Sequence, residues 1–560
     1  MSPSAGPDIL NFFEKRWRGA GVTIDPRTVN KNKPWPNALA RTWRALGRAT
    51  GRIPGGGRLA RALTRAWLAY RSDVPVIVIS GSSGKTTTCL LLQSLLAERF
   101  EVFGTRDNDN LDCHQHRHVL RLGFRRRRRQ ALVLEAGIQS TLNSARWNAA
   151  VVSDVLILTT IGHTHLQWLR DREGVFEQKR ALLGGLKAGG TLLVNADDAF
   201  LRTLRGDTRA VTFGVEEEAD FRAAGLEADA LGVRFDMVRG GRVLARIECG
   251  LLGRHYVYPL LAAAACALLL ELDADAIRQG LGQFCPAPSR VSVRREHGWT
   301  ILDDTYSSNP EAAWAALEAM YLLEGRKIAV LGSMLELGER GPELHRDLGR
   351  RLARAFPDLH RLFGYAPLSE FILQGAVEAG FPRERTFQTD SKFELLSRLD
   401  DVLQAGDVVL VKGSNELALG DVVRRLGSPW FITPLDAMPS PRAVGAVGAY
   451  RIRDRRHAGI DLPAEPGTPV RAMADGTIEY AGRDGPYGRV IRIRHFTNTV
   501  SVYAHLDAIL CRRGPVVMGQ VIGRSGRTGI PTGLGDYDYP HLHVELRVNG
   551  VPQDPSTYWD

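Results

Sequence analysis

The 560-residue chain is poor in the features that mark several protein classes. It has only six cysteines (Cys89, Cys113, Cys249, Cys266, Cys285 and Cys511), and no two of them form a C-x-x-C pair. This argues against both a disulfide framework and a thiolate zinc site. The longest apolar run, Leu260 to Leu270, spans eleven residues, well short of the ~20 needed to cross a bilayer. It reads as a buried helix. The first twenty residues contain no apolar core of signal-peptide length, so the expectation is a cytoplasmic protein without a transmembrane segment. There is no internal repeat. With 44% apolar and 24% charged residues the composition is that of an ordinary globular protein, which excludes disordered, collagen-like and coiled-coil chains.

Lys plus Arg number 73 against 62 Asp plus Glu, a formal net charge of +11. That balance points to an anionic partner. At ~150 residues per domain, the length allows three or four domains. Residues 1–75 are basic and patterned as helix, with Trp43, Leu46, Leu59, Leu63, Trp67 and Leu68 among arginines and a break at Arg52 to Arg58 (RIPGGGR). The favoured reading packs this segment on the next domain with a solvated arginine face; a membrane or nucleic-acid surface is the other. The run Arg125 to Arg129 reads as an exposed hairpin or loop.

From Val76 apolar strands alternate with helical stretches to about residue 430, the pattern of α/β domains with parallel sheets. The stretch 431–449, rich in proline and small residues, reads as a linker. Residues 450–560 carry short β segments with glycine turns and no convincing helix, an all-β module.

Two constellations carry chemistry. In the first, Gly81, Ser82, Ser83, Gly84, Lys85, Thr86 and Thr87 follow the strand VIVIS and open a helix. Glycines let backbone N–H groups approach a phosphate, and the helix N-terminus favours its charge. Lys85 would reach the β- and γ-phosphates, and the Thr86 hydroxyl would bind magnesium. In the second, His457 and Asp461 stand four positions apart across a turn, His505 lies in YAHL, and His541 and His543 share one strand face. Two imidazoles, a carboxylate and water describe a catalytic zinc site.

The short loop GSSGKTT resembles that of the Mur ligase family, which uses ATP to join an amino acid or peptide to a carboxylate. Further motifs match in order: LVLEAG, TTIGHTHL, VFEQKRALL, NADD at Asn195 to Asp198, GRHYVYPLLAAAA, APSRVSV, DDTYSSNP, VLGSMLELGE and LVKGSNE. The likeness covers about residues 76–430 and points to the branch that adds D-alanyl-D-alanine. It implies Glu135 and His165 as magnesium ligands beside Thr86, Lys179 as a carbamylated metal-bridging lysine, and Arg290, Asp304 and Asn309 at the nucleotide. It also implies a central ATP-binding domain over 76–296 and a C-terminal Rossmann-like domain over 297–430. Departures stand at Thr160, Tyr256, Pro259 and Asn415, where the family carries three asparagines and an arginine. The family's nucleotide-sugar-binding N-terminal domain has no counterpart, so the expected acceptor is a free muropeptide, peptide or amino acid.

The pattern H-x-x-x-D…H-x-H resembles the lysostaphin/LytM-type zinc endopeptidases over about residues 450–556. That likeness implies His457, Asp461 and His543 as zinc ligands, with His505 and His541 as the catalytic pair. An insertion, Leu534 to Tyr539, would reshape the groove. The combined expectation is a bifunctional enzyme of cell-wall peptides, with ATP, magnesium and zinc as cofactors, acting in muropeptide recycling or modification. No nucleic-acid partner is needed. The alternative is a ligase for a non-wall peptide or poly-amino-acid, with the β module trimming peptides or gripping peptidoglycan.

Overall fold

The computed structural model describes residues 56–105, 118–119, 122, 129–296, 298–426, 431–436, 450–451, 455–496, 499–529, 539–548 and 550–558. The expectations for residues 1–55, Arg125 to Arg128 and 534–538 lie outside these.

The first sheet grows from runs apolar on both faces. Its strands are β1 (Val76–Ser80), β2 (Glu101–Gly104), β3 (Gln130–Glu135), β4 (Ser153–Leu158), β5 (Leu186–Asn195), β6 (Ala210–Gly214), β7 (Phe221–Asp229), β8 (Gly232–Arg239) and β9 (Arg242–Cys249). Their spatial order is β2-β3-β1-β4-β5-β6-β7-β8-β9. Strands β2 to β6 pair in parallel around β1, and β7 to β9 end the sheet as antiparallel hairpins. β1 is buried at every position, as a parallel strand covered on both faces requires. The chain leaves β1 for β2 on one side and later returns to β4 on the other. Such a reversal opens a crevice at the strand ends where ligands bind in open α/β sheets.

The apolar run Leu260 to Leu270 lies mostly within the buried helix Val257–Leu269. Among the described residues no helix is long and apolar enough to cross a membrane. Part of the basic segment is seen as the helix Gly56–Tyr70, which sets Leu68 into the core of the first domain and donates from Arg65 to the Asn148 carbonyl (3.0 Å). Arg71, just beyond it, is buried and donates to the Gln130 side chain at 2.6 Å.

A second sheet holds β10 (Ser292–Glu296), β11 (Trp299–Asp304), β12 (Lys327–Gly332), β13 (Arg361–Tyr365), β14 (Thr386–Thr389) and β15 (Val408–Lys412), in the order β10-β11-β15-β12-β13-β14. All pairs are parallel except β10–β11. Here the boundary drawn from sequence shifts. The sequence reading places residues 292–296 in the central domain, whereas they form the antiparallel edge of the second sheet. Their sequence, SVRRE, has a single apolar residue and gives no sign of which sheet they join.

The third unit is antiparallel. Its central strands are Ile460–Pro463, His541–Val548, Thr499–Ile509, Arg489–Phe496 and Gly476–Arg483, hydrogen-bonded in that order. The expected linker is also corrected at its start. Phe431 and Leu435 are buried in this unit's core, and the Ile432 amide donates to the Met473 carbonyl at 2.9 Å. Residues 431–436 therefore belong to the β unit.

In the second domain the helices Gly341–Ala355 and Ser369–Glu378 cross at two glycines. A Cβ on Gly349 would stand 1.9 Å from the Ile372 carbonyl oxygen, and one on Gly375 would stand 2.0 Å from that of Arg346. Backbone cannot yield as a side-chain tip can. Gly349→Ala is expected to force the helices apart and destabilise this domain by about 1–3 kcal/mol, read as a lower thermal midpoint. An unchanged midpoint would show that the crossing has slack.

Candidate functional sites

At the end of β1 the chain turns sharply. A Cβ on Gly81 (φ +152°) would stand 1.9 Å from the Thr159 hydroxyl, so only glycine permits this approach. Gly84 (φ +80°) then caps the helix Lys85–Leu96. The loop rests on residues 159–164: the Ser82 amide donates to the Thr160 carbonyl (2.8 Å), the Ser83 amide to the Thr160 hydroxyl (3.1 Å), and the Gly162 amide to the Ser82 hydroxyl (2.9 Å). Thr160, a departure from the family pattern, thus supports the loop directly.

Around this turn the side chains named from sequence converge. The Thr86 hydroxyl donates to Glu135 at 2.7 Å and accepts from Arg290 at 2.9 Å. Burial draws the Lys85 amine down from its usual pKa, with the Arg290 charge adding to the effect against the pull of Glu135. Thr87 lies in the first turn of the same helix. Lys179, 1% exposed, is drawn far below the usual lysine range by burial and by the charge on Lys85. His165 sits in the left-handed region (φ +56°), with Nδ1 against the Glu336 carboxylate at 2.5 Å rather than against Glu135.

The second domain contributes to the same crevice. Asn309 caps the helix Pro310–Tyr321 through its side-chain oxygen and donates from Nδ2 to the Ser83 hydroxyl at 3.3 Å. Asp304 accepts from Lys412 Nζ at 2.6 Å, and that lysine, 1% exposed, also donates to the Ser307 carbonyl. Asp304 is therefore held in a buried ion pair at the end of β11.

Sequence reasoning missed several residues here. Tyr256, noted only as a departure, donates to the Arg290 carbonyl at 3.0 Å and so steadies that arginine's backbone. His163 pairs with Glu311 at 2.6 Å, and His165 with Glu336, across the two domains. No local spacing signals these contacts, because the partners lie some 150 residues apart or more.

The β unit gathers five polar side chains. The register pairs Asp461 with His543 and Pro463 with His541 across adjacent strands. Asp461 Oδ1 stands 2.7 Å from His543 Nδ1 and 3.2 Å from His457 Nε2, and those two nitrogens are 2.9 Å apart. These donors lie within 4.8 Å of one another and all are buried. For zinc bonds of ~2.0–2.1 Å, tetrahedral donors stand roughly 3.3 Å apart, so the set fits that ion after a small outward relaxation. Burial resists charge on Asp461, but the bonds from His457 and His543 outweigh it and hold the carboxyl well below its usual range.

His505 (φ +60°) and His541 flank this cluster with rings 4.8 Å apart. Their Nδ1 atoms face the carbonyls of Thr528 (2.9 Å) and Tyr539 (2.8 Å). A carbonyl only accepts, so Nδ1 carries the proton and Nε2 is left as the basic atom. Burial, with His541 and His543 alongside, brings the His505 imidazole down to about 3, so it is neutral at physiological pH.

The comparisons with known proteins agree with this layout. Residues 79–267 match the Mur ligase middle domain, 289–415 the Mur ligase glutamate ligase domain, and 455–555 peptidase family M23. The UDP-N-acetylmuramoyl-tripeptide–D-alanyl-D-alanine ligase of Bacillus subtilis is 28% identical over 371 residues, 65% of this chain and 79% of that protein. The DD-carboxypeptidase/endopeptidase Mpg of Neisseria meningitidis is 50% identical over 101 residues, 18% of this chain and 22% of that protein. Among solved structures, MurF of Acinetobacter baumannii superposes with a TM-score of 0.59 at 26% identity, covering 69% of this chain and 80% of that one. MurF of Thermotoga maritima, in complex with ADP, gives 0.58 at 25% identity over 66% and 83%.

Removing one partner of a buried pair leaves an uncompensated charge. Lys412→Met is expected to cost about 3–5 kcal/mol, seen as a lower denaturation midpoint, and adding Asp304→Leu should restore part of it. Equal loss in the single and double variants would contradict the pairing.

With the motifs, the sheet orders and these likenesses in agreement, the chain is a member of the Mur ligase family through its middle and C-terminal domains, fused to a peptidase family M23 domain.

Proposed function

We propose that the chain is an ATP-dependent amide-forming ligase and a zinc-dependent endopeptidase acting on peptidoglycan-type peptides. The observation that carries this is the presence of two complete, separate polar constellations, one on a parallel sheet and one on an antiparallel sheet.

In the ligase half, the amides of Gly81 to Thr87 and the helix N-terminus hold the phosphates. Lys85 and Arg290 balance the charge that develops as a carboxylate oxygen attacks the γ-phosphate and ADP departs. Magnesium, bound through Thr86, Glu135 and His165, would add further charge neutralisation. An amine then attacks the acyl phosphate, and inorganic phosphate leaves. Asn309 and Asp304 bring the second domain to the nucleotide. Burial and the Lys85 charge draw the Lys179 amine toward its neutral form, the form that takes up carbon dioxide, which supports its proposed carbamylation.

In the peptidase half, zinc held by His457, Asp461 and His543 would supply Lewis acidity and a more acidic water. His505 and His541 present Nε2 to the reacting groups as bases; either can accept a proton from water, and the Nε2–H so formed can then steady the carbonyl oxygen or pass its proton to the leaving amine. Relatives named for D-alanyl-D-alanine ligation and for DD-carboxypeptidase/endopeptidase activity suggest D-alanine-containing peptides as substrates of both halves. Because ligation needs ATP, the cytoplasm is the proposed setting, with muropeptide recycling or modification as the role. The reading as a peptide-gripping module without catalysis is not favoured, since all five polar side chains of the β site are in place.

Two single variants separate the activities. Lys85→Ala is expected to lower peptide-stimulated phosphate release by at least two orders of magnitude and to leave hydrolysis of muropeptides intact. His543→Ala or zinc chelation should do the reverse. A screen scoring both products with muropeptides, UDP-muramyl peptides and free amino acids would show it. Hydrolysis unchanged in His543→Ala would sink the zinc assignment.

A further inference from the structure

Beyond the five polar residues, the strand His541–Val548 carries a further polar side chain on the same face. Side chains alternate with period two, so His541, His543, Glu545 and Arg547 point the same way. Glu545 is fully buried. Its Oε1 stands 3.1 Å from His543 Nε2 and accepts from the Tyr487 hydroxyl at 2.7 Å, while Oε2 accepts from Arg547 Nε at 2.6 Å. Arg547 also donates to the Tyr487 hydroxyl at 3.2 Å, which closes a three-membered network. Tyr487 arrives from a different element, the turn Gly485–Tyr487.

We propose that Glu545, fixed by Tyr487 and Arg547, is a positioning residue that sets the tautomer of His543 and thereby the affinity of the site for zinc. This rests on the reading of His543 as a zinc ligand. Both ring nitrogens of His543 face a carboxylate, Nδ1 toward Asp461 at 2.7 Å and Nε2 toward Glu545. When Nδ1 gives up its proton to bind a metal, the bond to Glu545 keeps the other proton on Nε2, because an ionised carboxylate only accepts. Nδ1, the atom facing Asp461 and His457, is then left with its lone pair free for a metal. The same bond fixes the ring plane and raises the basicity of the donor nitrogen. A buried glutamate beside a buried imidazole would serve no such end if it only filled space, and leucine would fill that space without the cost of burying a charge.

The test uses the full chain freed of metal and titrated with zinc against a chromophoric chelator. Glu545→Ala is expected to weaken zinc binding about 10- to 100-fold. Glu545→Gln, whose amide oxygen still accepts from Nε2, should lose less, and Tyr487→Phe should fall between Gln and the parent. Phosphate release by the ligase half and far-ultraviolet circular dichroism report folding independently. If Glu545→Ala fails to fold, the Gln and Phe variants carry the comparison. Parental zinc affinity in all the folded variants would overturn the proposal while leaving the zinc reading intact. A parent chain that binds no zinc would overturn both.

Discussion

Asp461 is 1% exposed and lies among the imidazoles of His457, His541 and His543. A carboxylate taken that far out of water persists only where opposite charge or hydrogen bonds replace its hydration. The same constraint shapes the ligase half. Lys412 meets Asp304, and Lys179 is drawn toward its neutral form by burial and by the charge on Lys85. In the peptidase half Glu545 meets His543, Arg547 and Tyr487. Each site concentrates groups that are costly to bury. Each is stable because its members satisfy one another, and their chemistry follows from how that satisfaction is arranged.

Architecture decides where those groups can meet. In each of the first two sheets the parallel strands end at the same edge, so loops far apart in sequence gather there. The turn after β1, the loop 159–164 and the start of the helix Pro310–Tyr321 form one crevice between two domains. The antiparallel unit works differently. Direct register between neighbouring strands sets Asp461 opposite His543, and Ala504, next to His505, opposite the same histidine. One site is made of loops at a domain junction and suits a reaction that brings two substrates and a nucleotide together. The other is made on strands and suits a single rigid donor set.

Much of this was legible in the sequence wherever a local rule applied. Glycine spacing after an apolar strand marked the phosphate loop, because the backbone there has to pass close to Thr159. Period-two alternation marked His541 and His543 as sharing a face. What escaped were relations that depend on distant partners. The sequence cannot say that Glu336, rather than Glu135, sits against His165, nor that Tyr256 supports Arg290. It also misassigned two edges. Residues 292–296 have no pattern that ties them to one sheet over another, and Phe431 lies in a stretch whose prolines and small residues look like linker although its ring is buried in the β unit. Glu545 was readable in principle as the next same-face residue after His543. Its meaning came only from Tyr487, which lies 58 residues away.

In the proposed function one chain makes an amide bond at the expense of ATP in one site and hydrolyses a peptide bond with water in another. Isotope transfer separates these events directly. The chain is incubated with ATP, magnesium, zinc and D-alanine-containing muropeptides in water enriched in oxygen-18, and the products are weighed by mass spectrometry. Cleaved peptides should carry one solvent oxygen in the new carboxylate. In the His543→Ala variant, where no freshly hydrolysed carboxylate can reach the ligase site, phosphate released with ligation should carry none, because its extra oxygen comes from the unlabelled acceptor carboxylate by way of the acyl phosphate. Solvent-labelled phosphate without a new amide, or the absence of labelled peptide carboxylate, would contradict the account.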